Sequence, residues 1–516
     1  MLRTVTTRLG VLAGVPGGDP RITIFKGVPF AKPPVGPLRW RAPEPCEPWS
    51  GVRQANRFAP VSVQGPLGQD WNDFYTRELH PAGAELKMSE DCLYLNVWTP
   101  AKAADEKLPV FFYIHGGGLM GGYSYEMEFD GERVARKGCV MVTAAYRLGA
   151  LGFFAHADLS REAPGESQGN YGFLDQVAAL RWVHENIAAF GGDPERVTIA
   201  GQSAGAGSVT ALITSPMTRG LIHGAIMMSG GGPNTISAAS MPLEEAQYRG
   251  EELLRALQVS SVAEARRLPA AATCATYASM ARFDPTYPRN PITVVDGVFM
   301  EKDPIDVMKD DELPRIPYMV GSCHDEGRDF FIRKNQPPMD IPGFEEKVRE
   351  EYGKYADAFL AAANVHTPEA LLKLYRSRDF HIFYHAHMAF ARLMHEQKRT
   401  VYAYTFEHDV PGGDGAGSYH GSDLWFFFDS LNRCWRPFTG KHYDLARAVS
   451  SYLVNFVATG DPNGADCGGA PLPLWEPYAE NHLMEMSFRD RPELVERAPA
   501  DGVLSLRIEK LLRRLD

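Results

Sequence analysis

The pentapeptide Gly201-Gln202-Ser203-Ala204-Gly205 sets a serine between two glycines at a spacing that suits a nucleophile. A β-compatible run, Val197 to Ala200, precedes it, and a helix-compatible run, Ala206 to Ile213, follows. In such a strand–turn–helix the serine rides a strained turn, and side chains on the flanking glycines would collide with strand or helix. The turn puts Ser203 at a helix N-terminus, where the positive dipole end favours developing negative charge. The chemistry implied is nucleophilic catalysis. A glycine-serine loop without chemistry is the plainer alternative, but it would not need the strand and the helix.

A second motif complements the first. His115-Gly116-Gly117-Gly118 follows the apolar run Leu108 to Ile114 directly. Glycines there leave backbone N–H groups open to a substrate carbonyl. The N–H groups of Gly117, Gly118 and Ala204 are the expected oxyanion donors, each typically worth about 2.7–4 kcal/mol in the transition state. A phosphate-binding loop is the rival reading. Neither G-x-x-x-x-G-K-[ST] nor G-x-G-x-x-G stands at that strand end.

A serine nucleophile needs a histidine to take its proton and an acid to orient the ring. With this elbow, the acid and then the histidine follow the serine in the chain. Of fifteen histidines, those after Ser203 are 223, 324, 366, 381, 385, 387, 395, 408, 420, 442 and 482. His420 lies in the small-residue loop Gly417-Ser418-Tyr419-His420-Gly421-Ser422-Asp423. Active-site loops look like this, and so do exposed polar loops, so spacing leaves the base open. Asp325-Glu326-Gly327 follows the strand-like Pro317 to Val320, and strand ends gather catalytic groups. Asp325 and Glu326 are equivalent on this ground, with Asp296 and Asp423 as further candidates. His381 and His385, with His387 beside them, have the i, i+4 spacing of metal ligands. Their aromatic amphipathic surroundings, with no carboxylate placed as in H-E-x-x-H, favour a packed helix.

These groups need a scaffold. Leu93 to Trp98 reads as a strand, and Leu108 to Ile114, Val140 to Tyr146, Val197 to Ala200 and Gly224 to Ser229 are nearly continuous apolar runs. Runs of that kind mark strands covered on both faces, hence a mainly parallel sheet. Between two of them, apolar positions 174, 177, 178, 180, 183 and 187 fit one face of a helix. The alternation predicts a doubly wound α/β fold. Prolines punctuate the first hundred residues, which read as short antiparallel strands at a sheet edge. Further helices are expected at Glu244 to Leu257, Val262 to Leu268, Phe344 to Leu374, His381 to Glu396 and Leu445 to Thr459, and strands at Ile292 to Val295, Pro317 to Val320 and Val401 to Phe406. The reading is one catalytic domain over 1–516, with helical insertions around 233–290 and 335–400.

Composition excludes several classes. With 44% hydrophobic and 23% charged residues, the chain is neither disordered nor fibrous. A net charge of −11 gives no basic face for nucleic acid and disfavours an anionic membrane surface. No stretch of 18 apolar residues occurs, and the N-terminus lacks the apolar core of a signal peptide, so a cytoplasmic protein is expected. Seven cysteines without C-x-x-C spacing read as small buried hydrophobes, not as a zinc or disulfide framework.

The chain resembles the type-B carboxylesterase/lipase family, which includes the cholinesterases, over nearly its full length. Phe25-Lys26-Gly27-Val28-Pro29-Phe30-Ala31-Lys32-Pro33-Pro34-Val35-Gly36 looks like the family's opening segment, and Ser89-Glu90-Asp91-Cys92-Leu93-Tyr94-Leu95-Asn96-Val97 like its signature around an early strand. Tyr146-Arg147-Leu148-Gly149, Phe190-Gly191-Gly192-Asp193-Pro194 and Gly460-Asp461-Pro462-Asn463 are similar to further family blocks. The resemblance implies an α/β-hydrolase fold with helical insertions capping the site. It implies a serine carboxylesterase acting on small to medium esters through an acyl-enzyme, with no metal or organic cofactor. The nucleophile falls on Ser203, the base on His420 and the acid, usually a glutamate before a glycine, on Glu326. The oxyanion donors fall on Gly117, Gly118 and Ala204. Ser229 looks like a family serine that supports these residues from behind.

Some positions depart from the family. Ser62 stands where extracellular members carry the cysteine that bridges to the position of Cys92. Gln202 replaces a frequent glutamate beside the nucleophile. The loop at 84–88 has no aromatic residue where cholinesterases place their choline platform, and Trp71 lies further upstream. These departures argue against choline esters. The same residues would also serve an amide, carbamate or lactone, and some relatives are non-catalytic binding proteins. Leu119, Met120 and the helical insertions are expected to line the pocket, with Trp425 to Phe428 mainly in the core. The expected partner is a small-molecule ester. Oligomeric state is not legible.

Overall fold

The computed structural model describes residues 1–65, 73–81, 83, 85–233, 239–283, 291–326, 337–479, 483–497 and 502–515. Its centre is a sheet of eleven described strands. In chain order these are β1 (Val15–Pro16), β2 (Thr23–Pro29), β3 (Tyr94–Thr99), β4 (Leu108–Ile114), β5 (Val140–Ala144) and β6 (Gly192–Gln202). They continue with β7 (Gly224–Met228), β8 (Tyr318–Cys323), β9 (Val401–Phe406), β10 (Leu483–Phe488) and β11 (Pro492–Arg497). The spatial order is β11-β10-β9-β8-β7-β6-β4-β5-β3-β2-β1. From β5 to β10 every neighbouring pair is parallel, and antiparallel strands close both edges.

The apolar runs explain why this sheet is covered on both faces. Along β4, Val110, Phe112 and Ile114 enter one core, while Phe111 and Tyr113 enter the other. β5 divides the same way, with Val140 and Val142 on one side and Met141 on the other. This is the two-residue alternation of a strand with both faces apolar. On the first face pack helices α1 (Tyr171–Asn186), α2 (Ala204–Thr214) and α3 (Ile382–Glu396); on the second packs α4 (Gly440–Thr459). Each fully buried Phe or Val contributes roughly 1.5–3 kcal/mol relative to exposure.

The stretch from Phe344 to Leu374 is not one helix but three: Ile341–Tyr352, Ala356–Ala363 and Pro368–Arg376. Gly353 breaks the first at φ 49° and Asn364 ends the second in the left-handed region. Thr367 then caps the third ahead of Pro368. These helices bury Phe344, Val348, Phe359 and Leu371 in a cluster of their own. The helix expected over Val262 to Leu268 stops at Ala265. The helices Ala270–Phe283 and Gly502–Leu511 and the strands β10 and β11 have weak patterns and were not singled out from the sequence.

Two of the quoted sequence blocks supply partners of two-pronged ion pairs, one buried and one half-buried. Arg147 grips Asp175 with Nε at 2.8 Å and Nη2 at 2.7 Å, and both side chains are buried. Arg39 holds Glu90 in the same two-pronged way, at 2.6 and 2.7 Å. Such paired geometry offsets the cost of burying charge. Cys92 is buried and Ser62 lies against its thiol, at the place expected of the family's cysteine partner. No described helix is long and apolar enough to cross a membrane. Trp71 and position 84, which bear on the choline platform, lie outside the described residues, as does Gly327.

Candidate active site

Ser203 occupies the turn between β6 and α2 with φ 57° and ψ −123°, a conformation that costs a non-glycine residue about 1–3 kcal/mol. The surroundings enforce it. A methyl group on Gly201 would lie 2.3 Å from the Gly205 carbonyl, and one on Gly205 would lie 2.2 Å from the Ile114 oxygen. The Ser203 N–H donates to the Met228 carbonyl at 2.8 Å, which ties the turn to the end of β7. Context, and not the pentapeptide, carries this assignment. A second G-x-S-x-G, Gly165 to Gly169, lies in a loop, where Ser167 donates to the Asp296 carboxylate.

The glycine loop leaves β4 beside this turn. The His115 ring stacks on Tyr146 at 4.4 Å, and the His115 carbonyl accepts the Tyr146 hydroxyl at 2.9 Å. Gly117 and Gly118 take φ 101° and 66°. A methyl group on Gly117 would sit 2.1 Å from the Gly121 oxygen, so only glycine fits. Among the described residues, the N–H groups of Gly117, Gly118 and Ala204 donate to no protein acceptor. Ala204 opens α2, where the first N–H groups have no partner within the helix.

The parallel strands deliver the other two groups. Glu326 follows β8, and His420 lies in the loop after β9. His420 Nδ1 is hydrogen-bonded to Glu326 Oε2, and Glu326 Oε1 accepts the Cys323 N–H at 2.8 Å. Burial alone would raise the Glu326 carboxyl. The His420 charge and hydrogen bond outweigh it, with smaller help from His381 and Ser229, and hold the carboxyl below its usual range. Ser229 is fully buried at φ 49° and assists without closing a well-formed hydrogen bond. Gln202 reaches the same histidine: its Nε2 lies 3.2 Å from His420 Nε2.

The other carboxylates are committed elsewhere. Asp325 accepts the N–H and hydroxyl of Ser418 at 3.0 and 3.2 Å. Asp296 gathers Ser167, Gln168, Asn170, Val298, Phe299 and Met300. Asp423 takes the Tyr404 hydroxyl at 2.8 Å, and burial with the nearby Glu326 charge pushes it up to about 6. His381 caps α3, and His385 accepts from Arg507 Nε at 2.6 Å. No cluster of three or more metal-holding side chains occurs among the described residues.

Ser203 and His420 face one cavity of about 540 Å³, together with Gly116, Gly117, Gly118 and Gln202. Trp425 lines it, whereas Phe426 to Phe428 are core. Leu119 and Met120 do not line it as expected. Leu119 is buried in the core at φ 57°, and Met120 packs against that core beside Gly149. Of the expected helical insertions around 233–290 and 335–400, Phe383 is the described residue that lines the cavity, its ring stacked on His420 at 5.1 Å. Phe383 gave no signal in an aromatic-rich helix. Two further features also escaped the sequence reading. Glu78, fully buried, is held by Arg436, Trp435 and the Tyr419 hydroxyl, which braces the loop next to His420. Glu126 and Glu128 stand on the cavity wall. Two acids amid apolar residues just after the glycine loop were the available clue.

The carboxylesterase family model matches residues 2–504. The chain is 35% identical over 470 residues to fumonisin B1 esterase of Sphingopyxis macrogoltabida, covering 89% of this chain and 82% of that protein. It is 34% identical over 515 residues to carboxylesterase 4A of Bos taurus, covering 92% and 88%. Among solved structures, a PNB esterase superposes with a TM-score of 0.83 at 27% identity, covering 99% of each chain. A carboxylesterase of Geobacillus stearothermophilus does so with a TM-score of 0.77 at 31% identity, covering 96% and 97%. With a mainly parallel sheet, a strained serine turn and a facing glycine loop, the chain belongs to the carboxylesterase family and is a carboxylic ester hydrolase of the α/β-hydrolase fold.

Proposed function

We propose that the protein is a serine esterase for small to medium carboxylic esters, with Ser203 as nucleophile, His420 as base and Glu326 as the acid that orients it. The observation that carries this reading is the His420–Glu326 contact, whose histidine faces the cavity into which Ser203 is turned. Ser203 Oγ attacks the ester carbonyl while His420 Nε2 takes its proton. The Glu326 carboxylate fixes the ring tautomer through Nδ1 and stabilises the imidazolium. Gly117, Gly118 and Ala204 N–H groups receive the oxyanion. His420 then protonates the leaving alcohol, and water cleaves the acyl-enzyme through the same groups. Ser229 and Gln202 support the acid and the base. No step requires a cofactor.

The test is hydrolysis of p-nitrophenyl esters from acetate to palmitate by wild type and Ser203→Ala. Short-chain activity that disappears in the variant supports the assignment. Activity retained in Ser203→Ala overturns it, and activity rising toward palmitate replaces it with a lipase.

A further inference from the structure

The wall of the catalytic cavity carries polar atoms that ester hydrolysis does not use. Glu126 and Glu128 leave the glycine loop two residues apart, 6% and 2% exposed, and both line the cavity. Their carboxyl groups are hydrogen-bonded to each other, and Glu126 Oε1 also accepts the Tyr123 N–H at 3.0 Å. Beyond that shared contact, Glu128 Oε2 accepts from no N–H or hydroxyl donor among the described residues. Tyr113 comes from another element, β4; it is 1% exposed, lines the same cavity, and its hydroxyl is unpartnered too.

Neither glutamate joins an ion pair among the described residues. The contrast is Glu78 nearby, which Arg436 holds at 2.7 and 3.0 Å. A buried carboxylate without a cation is costly, and so is a buried polar atom without a partner. Glu128 and Tyr113, from separate elements, both line the cavity that an ester would enter, and the Glu128 charge acts on the Tyr113 hydroxyl.

The geometry points to an ammonium subsite: Glu126, Glu128 and Tyr113 receive a protonated amine carried by the ester substrate. This rests on the reading that the cavity binds the ester. An alkylammonium brings three donors and one positive charge, which matches the free oxygens of Glu128 and Tyr113. Burial pushes Glu126 up to about 7, so near neutrality the pair shares a proton and keeps one negative charge for one ammonium. Phe129, Leu424 and Trp425 line the same cavity, which suits the organic part of such a group. A hard metal ion fits poorly, since it needs six or more oxygens.

The test is calorimetric titration of the whole protein at pH 8 with 3-methylbutylammonium and with its neutral isostere 3-methylbutan-1-ol. The ammonium is expected to bind at least about tenfold more tightly and to compete with p-nitrophenyl butyrate. In Glu126→Gln and Glu128→Gln the ratio of the two affinities should fall to within about twofold of one, because a carboxamide keeps the shape and loses the charge. Equal binding of both probes to wild type overturns the subsite, as does a preference that persists in both variants or fails to compete with the ester. The wild-type comparison stands even where a variant fails to fold. Titration needs no turnover, so binding of the ammonium by a protein inactive on every ester would overturn the proposed function and leave the subsite. Ester hydrolysis without ammonium preference would do the reverse.

Discussion

Asp325 and Ser418 are joined three times: the Asp325 carboxylate accepts the Ser418 N–H and hydroxyl, and the Asp325 N–H donates to the Ser418 carbonyl at 3.1 Å. Glu326 is the next residue on one side of this tie, and His420 is two residues along on the other. The loops after β8 and β9 are thereby tied together beside the contact between Glu326 and His420. Loss of such a tie would let His420 shift, and a misplacement of about 1 Å can slow catalysis about 100-fold. Asp325→Ala is expected to lower kcat roughly 10–100-fold with a smaller change in KM. Asp325→Asn, which keeps one acceptor, should fall between. Steady-state kinetics on p-nitrophenyl butyrate would check this, and an unchanged kcat in Asp325→Ala would show that the tie does not position His420.

Glu326→Gln separates the charge of the acid from its shape. The carboxamide fills the same buried site but cannot stabilise an imidazolium at Nδ1, and it favours the wrong ring tautomer. The expected loss in kcat is on the order of 10⁴-fold. Asp423 is not a substitute, because Tyr404 holds its Oδ2 and burial raises its pKa to about 6. Burst kinetics would show acylation itself slowed, and a loss below about tenfold would move the role of acid elsewhere.

Gly205→Ala tests the elbow as a steric device. The added methyl would meet the Ile114 oxygen at 2.2 Å and the His115 oxygen at 2.9 Å, both backbone atoms that cannot swing aside. The strand β4 and helix α2 must separate, at a cost of at least about 1–3 kcal/mol. Ser203 and the glycine loop should then lose their register together. Thermal unfolding and titration of the reactive serine with a fluorophosphonate should both report damage, whereas a stable, fully reactive variant would show that the close approach is dispensable.

The central sheet and the elbow were legible because they rest on local patterns. Val110 to Ile114 can only be a two-faced buried strand, and a serine between glycines after such a strand has few other uses. The acid was not legible from the residues: Asp325 and Glu326 differ by one position, and the pleat and loop geometry alone decide which faces His420. The family resemblance points to Glu326, whose carboxylate contacts His420. The pocket lining departs from expectation for a related reason. Leu119 follows the glycines directly, but its positive φ turns the side chain back into the core, and nothing in a leucine announces that conformation. Phe383 meets His420 from a separate helix, and Glu78 meets Arg436 across 358 positions of chain, contacts that no local pattern encodes.

The buried Glu126–Glu128 pair should make stability fall with rising pH. Burial, more than any other cause, raises Glu126 from the ordinary 4.5 to about 7, and Glu128 is raised by burial and by its neighbour's charge. For an acid raised on folding, the folded state binds protons more tightly than the unfolded chain. Its stabilising effect is therefore complete below about pH 4.5 and is lost as pH rises through about 7. Glu126→Gln removes this titration while its amide oxygen can still accept the Tyr123 N–H. The stability of the variant relative to wild type should then increase between pH 5 and pH 8, by an amount on the order of 3 kcal/mol. Melting temperatures of both proteins across that range would reveal it, with the gap widening most steeply midway between 4.5 and about 7 and levelling off above about pH 7. A gap that stays flat would mean that the pair holds the same protons folded and unfolded, and that the cavity wall carries no titrating charge at physiological pH.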